Sequence, residues 1–197
     1  MEIRNFNTNE INELIKTRRS IYPPVYKNEV VDDEIIKKML ENANWAPTHK
    51  MTQPWHFTVF KGEGLKKLAE FQSELYREVS EKKGTFDQKK YDKLAKKPTL
   101  ASHVIGIGMK RDINNILPEI EEVSAVACAV QNMMLTATAY GLGCYWGTGG
   151  VTYMEEAKPF FGLEPKDIFM GFLFIGIPEK WHESTREPIE DSVQWVD

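Results

Sequence analysis

Apolar positions along this 197-residue chain recur at two periods, one helical and one extended. Asn7 to Asn9 supply capping side chains, and Ile11, Leu14 and Ile15 follow at helical spacing. A short amphipathic helix is therefore expected to run toward Arg18, Arg19 and Ser20. The following "IYPPVYKNEV" has two prolines and no period, and reads as extended loop. Asp32 is a suitable N-cap for a second helix whose apolar face is Ile35, Ile36, Met39, Leu40 and Ala43. Val31 and Ile36 stand where a hydrophobic staple would, and Pro47 sets the far limit.

"WHFTVF", residues 55–60, is rich in aromatic and β-branched residues and predicts a strand. Leu65, Leu68, Phe71 and Leu75 carry another helix. Residues 72–98 are dominated by Lys, Glu, Asp and Gln, with scattered Tyr and Phe. A solvated helical hairpin is expected there; a mobile cover over a pocket is the sharper alternative. "SHVIGIGM" predicts a second, buried strand, and "IFMGFLFIGIP" a third, apolar throughout and so central.

Residues 118–140 predict the longest helix. Val123, Ala127, Val130, Met134 and Ala137 share one face, while Ala125, Ala129, Met133 and Leu135 carry apolar character around most of the surface. Such a helix needs cover on nearly every side, so a second copy of the chain is expected to supply part of it. Gly141 is placed as a helix terminator. Thr152 and Glu155 have capping-box spacing before a short helix that Pro159 disturbs. The tail "HESTREPIEDSVQWVD" is polar except for Val193, Trp195 and Val196, which are expected to dock on a neighbour.

With 42% hydrophobic and 27% charged residues the composition is that of a globular protein, and the length suits one domain over 1–197. A formal charge of -4 offers no basic footprint for nucleic acid. The first residues lack the pattern of a secretory signal, and no apolar run is long enough for a membrane span, so a cytoplasmic protein is expected. Cys128 and Cys144, the only cysteines, have neither CxxC spacing nor export context and read as small core residues.

Candidate chemistry is sparse. Arg18 and Arg19 could grip phosphate oxygens in forks, with the Ser20 hydroxyl as a neutral donor; equally they could complement the dipole of the helix they end. "GLGCYWGTGG" follows a helix, which excludes the dinucleotide fingerprint of a strand-to-helix turn. Either its glycines bring backbone close to a flat ligand with Tyr145 and Trp146 around it, or it is a glycine-rich turn with core aromatics. His56 and His103 fall in strands and read as structural. His49, beside Lys50 and Gln53, is the histidine placed for a ligand contact. Metal-binding spacings, a nucleophile elbow and a P-loop are all missing. Positioning groups without a nucleophile suit an enzyme whose cofactor performs the chemistry.

"RRS" at the end of the first helix, "APTHKMTQPWHF", the long apolar helix, "GLGCYWGTG" and "IFMGFLFIGIP" occur in an order that resembles the nitroreductase family of FMN-dependent oxidoreductases, in its short form. The resemblance implies an α+β, three-layer fold with a mixed central sheet flanked by helices, in an intertwined homodimer binding FMN at the subunit interface. It implies that Arg18, Arg19 and Ser20 hold the FMN phosphate. Asn44, Thr48 and His49 would line the cofactor, from this chain or its partner's copy, and Tyr145, Trp146, Gly147 and Thr148 would lie along the flavin. Arg186 is the tail's cation for the phosphate, with Ser184 where relatives often carry a second. Leu135 to Tyr140 lies where some relatives meet the nicotinamide cofactor. The implied reaction is ping-pong reduction by NAD(P)H of a nitroaromatic or other electron-poor small molecule. Alternatives are a reductase of a quinone, enone or aldehyde, a non-catalytic FMN-binding dimer, or a structural dimer whose arginines are surface charge.

Overall fold

A computed structural model describes residues 5–114 and 116–197. The Asn7 Oδ1 accepts the N–H groups of Asn9 and Glu10 at 3.1 and 3.4 Å and so starts α1 (Thr8–Thr17). No residue of α1 is buried, and Phe6, Ile11 and Ile15 are exposed. The amphipathic helix forms, but the described residues do not cover its apolar side. The "PP" segment is extended except for a 3-10 turn at Pro23–Val25. Asp32 caps α2 (Asp33–Ala43) by accepting the Glu34 N–H at 2.9 Å, and Val31 and Ile36 are both buried, as a staple requires.

β1 (Trp55–Lys61) leads into α3 (Glu63–Lys82) and α4 (Gln88–Lys96), then β2 (His103–Met109), α5 (Glu119–Ala139), β3 (Gly143–Gly147) and β4 (Ile168–Gly176). α3 and α4 are the helical hairpin of the two alternatives, packed through Leu75, Tyr76, Val79 and Leu94. The Tyr76 hydroxyl accepts the Asp87 N–H at 3.0 Å, and the Tyr91 hydroxyl donates to Glu74 at 2.6 Å, pinning one helix to the other.

The sheet runs β1-β2-β4-β3 with every neighbouring pair antiparallel. Its parallel element is confined to the bridge of Ser20 with Cys144. β3 is a strand that periodicity missed: glycines at both ends weaken its pattern, and pairing with β4 over Cys144–Ile175, Tyr145–Phe174 and Trp146–Leu173 makes it one. Strand alternation gives each sheet face a core. Ile105, Ile107, Leu173 and Ile175 meet Met39, Val126, Val130 and Met133 on the α2/α5 side. Val104, Phe172 and Phe174 meet Leu68, Tyr76 and Phe161 on the α3 side. Each such buried side chain contributes on the order of 1.5–3 kcal/mol.

Two expectations change. Thr152 caps no helix; its hydroxyl donates to the Gly149 carbonyl at 2.9 Å, and a 3-10 segment at Glu155–Phe161 starts behind Met154. Cys144 is buried but Cys128 is exposed, on the α5 stripe of Ser124, Cys128, Gln131, Leu135 and Ala139 that α2 and the sheet leave bare or half-covered. Trp195 and Val196 are exposed on this chain, at 88% and 85%.

Candidate active site

The end of α1 is stitched to β3. Arg18 closes the helix by donating its N–H to the Leu14 carbonyl, then takes extended backbone that carries Ser20 into its bridge with Cys144. The Ile21 N–H donates to the Cys144 carbonyl at 2.9 Å, and the buried Tyr26 hydroxyl donates to the Ile21 carbonyl at 2.6 Å. The two arginines then diverge. Arg19 donates through Nε to the His182 carbonyl at 3.0 Å and through Nη1 to those of Lys16 and Arg18, fastening the tail to the helix. The Arg18 guanidinium has no hydrogen-bond or ion-pair partner among the described residues. Arg186 curls onto its own segment, donating to the Ser184 hydroxyl at 2.8 Å and the Thr185 carbonyl at 2.7 Å.

Along β3, alternate side chains face opposite ways. Trp146 packs into the α2/α5 core and donates its Nε1–H to the Met170 carbonyl at 2.9 Å. Tyr145 faces the other side, 4.4 Å from the Tyr22 ring centroid. The two aromatics therefore do not flank one ligand with their rings. Burial, and then Tyr22, raise the Tyr145 hydroxyl above its ordinary pKa. Gly147 is buried, Thr148 and Gly149 are exposed, and Gly150 has φ +72°. The N–H groups of Gly149 and Gly150 find no acceptor among the described residues. Beside them, Gln72 is buried with its Nε2 lacking a partner. Its Oε1 lies 3.6 Å from where a Cβ on Gly150 would stand. Buried donors are rarely left alone, so this corner is shaped for an acceptor that the described residues do not supply.

Asn44, Thr48 and His49 are gathered elsewhere. The Asn44 Oδ1 accepts the Trp55 Nε1–H at 3.1 Å and Gln53 Nε2 at 3.3 Å, while the Thr48 hydroxyl accepts the Gln53 N–H at 3.0 Å. His49 Nδ1 meets Glu121 Oε2 at 2.5 Å, so the loop lies against α5. This loop feeds β1, and β1 and β3 are opposite edges of the sheet. At about 4.8 Å per strand spacing the two edges stand roughly 14 Å apart. One chain thus brings Arg18 and Ser20 to Tyr145 and leaves the 44–49 loop in a second cluster.

Lys97 is the residue that sequence reasoning missed. Its ammonium lies 4.4 Å from the ring centroids of both Tyr145 and Phe174, and burial, helped by Lys93, brings its pKa down to about 8. It sits in a lysine-rich run that resembles solvated surface, and no motif marks it. The hairpin's fold on β3 alone reveals it.

The profile of the nitroreductase family matches residues 15–177. YdjA of Escherichia coli K12, provisionally named an NAD(P)H nitroreductase, is 32% identical over 146 residues, covering 74% of this chain and 77% of that one. A nitroreductase-like family protein from Bacillus cereus superposes with a TM-score of 0.76 at 27% identity, over 100% of both chains. A structure from Desulfovibrio desulfuricans solved in complex with FMN, provisionally a nitroreductase, does so with a TM-score of 0.71 at 25% identity, covering 95% of this chain and 96% of that one.

Proposed function

This chain belongs to the nitroreductase family, and from that premise we propose that it is an FMN-dependent oxidoreductase using NAD(P)H to reduce nitroaromatic or other electron-poor acceptors. Bound FMN would supply ping-pong chemistry, taking a hydride from NAD(P)H and passing reducing equivalents to an acceptor that enters after the nicotinamide leaves. The observation that carries this proposal is the pairing of Arg18 at one end of β3 with the donors of Gly149, Gly150 and Gln72 at the other, all without a partner among the described residues. About 13 Å of strand separates the two ends, a separation suited to a phosphate joined to a flat polar ring.

In this scheme Arg18 and the Ser20 hydroxyl would hold the phosphate, and Arg19 would keep the tail in place beside them. The Gly149 and Gly150 N–H groups, fixed before the ligand arrives, would stabilise negative charge on the ring edge as it is reduced. Tyr145 would form the wall, with Gly147 and Thr148 leaving the backbone accessible. Asn44, Thr48 and His49 would come from a second copy, because their own chain holds them at the far edge of the sheet. The uncovered apolar residues of α1 and the bare stripe of α5 support that homodimer. No helix among the described residues is long and apolar enough to cross a membrane, and a cytoplasmic setting, where NAD(P)H is available, is part of the proposal.

The deciding experiment is the visible spectrum of the purified protein before and after anaerobic NADPH. Flavin bands that bleach are expected. Absence of flavin bands after incubation with FMN and desalting would overturn the function. Parallel double-reciprocal plots test the ping-pong order, and intersecting lines would reject it.

A further inference from the structure

A cleft of about 910 Å³ opens between the segment that leads into α2, the start of α3 and the turn that enters β2. No residue of β3, α1, α5 or the 44–53 loop lines it, and neither Arg18 nor Lys97 does, so it stands apart from the proposed flavin strip and from the surfaces given to a second subunit. Ser102, half-buried on its wall, belongs to a chain of four hydrogen bonds. The Val31 N–H donates to Ser102 Oγ at 2.7 Å, Ser102 Oγ meets His103 Nδ1 at 2.9 Å, His103 Nε2 meets Asp33 Oδ1 at 3.1 Å, and the Lys61 ammonium donates to Asp33 Oδ2. Lys61 and then His103 hold the Asp33 carboxyl below its ordinary range, so it is ionised and only accepts. The imidazole proton therefore sits on Nε2, Nδ1 presents a lone pair, and the Ser102 hydroxyl donates into it.

A serine alone would hold the Val31 N–H. The imidazole behind it is 1% exposed and is the polar exception in β2, whose other residues are Val, Ile, Gly and Met; burying it costs free energy that its two bonds merely return. A hydroxyl within reach of a base that a carboxylate orients is the arrangement of an activated nucleophile.

We infer that Ser102, His103 and Asp33 form a second active site, independent of flavin, that hydrolyses small uncharged esters bound in this cleft. Ser102 Oγ bonds to the acyl carbon while its proton passes to His103 Nδ1. The bond from that carbon to the alcohol oxygen breaks, and the departing oxygen takes the proton from Nδ1. Water then repeats the cycle, giving a proton to Nδ1, releasing the acid and restoring the Ser102 hydroxyl. Asp33 orients the imidazole and balances its transient charge. Gly62 offers α3 no side-chain cap, so the N–H groups of Glu63 and Gly64 have no acceptor among the described residues; with Gly62 on the cleft wall, they are the donors for the oxyanion. Lys27 and Lys61 are offset by Glu29, Asp32 and Asp33 around the cleft, and Pro23, Pro24, Tyr26, Leu65 and Leu100 supply apolar wall, which favours a neutral ester over an ion. The volume lies toward the upper end of the range for ligand pockets, about 300–1,000 Å³, with room for an aromatic alcohol and a short acyl chain.

Hydrolysis of 4-methylumbelliferyl butyrate by the purified protein, without NADPH, tests the site. The substrate has no nitro group and the reaction transfers no electrons, so a protein without flavin bands leaves this test intact. Saturable release of 4-methylumbelliferone above buffer is expected. A fluorophosphonate probe should lose its fluoride to Ser102 and leave its added mass on the peptide that contains it. Ser102→Ala should abolish labelling and lower kcat/KM at least about a hundredfold. Should that variant unfold by circular dichroism, because the Val31 N–H has lost its acceptor, Asp33→Asn keeps a side chain of the same shape. As a positioning residue, Asp33 should on this change lower kcat by about 10²–10⁴-fold with KM within about twofold, a split that a loosened cleft does not produce. The position of the label is read on the parent protein and stands whichever variant folds. No hydrolysis above buffer, a label on another residue, or activity that survives these substitutions overturns the inference.

Discussion

Replacing Arg18 by alanine separates the two roles that a pair of arginines at a helix end can play. Its guanidinium contributes no hydrogen bond within the described chain, so truncation removes only a favourable charge at the C-terminus of α1, about 0.3–1 kcal/mol. If the group grips the FMN phosphate, each lost charge-assisted hydrogen bond costs about 1.5–3 kcal/mol. At about 1.4 kcal/mol per decade, a single lost bond raises the Kd for FMN on the order of 10- to 150-fold. Arg19 should behave in the opposite way. Its Nε and Nη1 hold the His182, Lys16 and Arg18 carbonyls, and loss of these half-exposed bonds costs about 1 kcal/mol, or roughly 2–4 °C in Tm for a chain of this size. FMN titration of the apoprotein by flavin fluorescence, with thermal melts of both apo variants, gives the comparison. An Arg18→Ala protein whose Kd for FMN stays within about twofold of the parent would refute the phosphate role and return Arg18 to the helix dipole.

Glu122 is buried, pairs with the largely buried Arg111 and accepts the Asp112 N–H at 2.8 Å; Glu122→Ala breaks this buried pair and should lose about 3–5 kcal/mol in urea unfolding, and a loss below about 1 kcal/mol would contradict that. Gly171 has φ +101°, and a Cβ there would stand 2.4 Å from the Gly147 carbonyl oxygen. Gly171→Ala should therefore cost about 3 kcal/mol from backbone and crowding together and push β3 outward, weakening FMN retention; a melt unchanged within about 1 °C would count against it. Lys97 has a folded pKa of about 8, below its ordinary value of 10.5, so the unfolded chain binds more protons between the two. Stability should rise with pH across that window relative to Lys97→Gln, and urea midpoints that track each other from pH 7.5 to 10.5 would show the shift to be absent.

The helices and the two inner strands were legible because their signals are local. Asn7 and Asp32 cap as their side chains allow, and β2 and β4 are continuous apolar runs buried on both faces. β3 was not legible, since its five residues become a strand only by pairing with β4. The "RRS" and "GLGCYWGTGG" segments were identified from sequence, yet only their bridge at Ser20 and Cys144 makes them one site. Nothing in the chain's order distinguishes Arg18 from Arg19: the difference lies in which carbonyls the tail presents, a contact 163 residues away. Lys97 was hidden for the same reason, because a lysine is read as solvated until a ring is found beneath it.

The 44–53 loop carries the argument for a second subunit furthest. Lys50, Met51 and Gln53 have φ of 49°, 56° and 46°, left-handed conformations that ordinary residues avoid. At about 1–2 kcal/mol each, the three together cost about 3–6 kcal/mol. The bonds of Thr48 and Asn44 to Gln53 and Trp55, with those of His49 to Glu121 and to the Thr52 N–H, return about 1 kcal/mol apiece, a sum of the same size as the strain. Backbone held this way persists where the surroundings over-determine it, often at binding sites. Meanwhile Trp45 and Met51 are 82% and 73% exposed, and covering each contributes on the order of 1.5–3 kcal/mol. A partner that buries them would stabilise the shape and carry Asn44, Thr48 and His49 to the far subunit's β3. Dimer and cofactor site should then be lost together. Trp45→Lys with Ile15→Lys should give monomers in sedimentation that no longer retain FMN on desalting, and a monomer that keeps its flavin would show that one chain suffices.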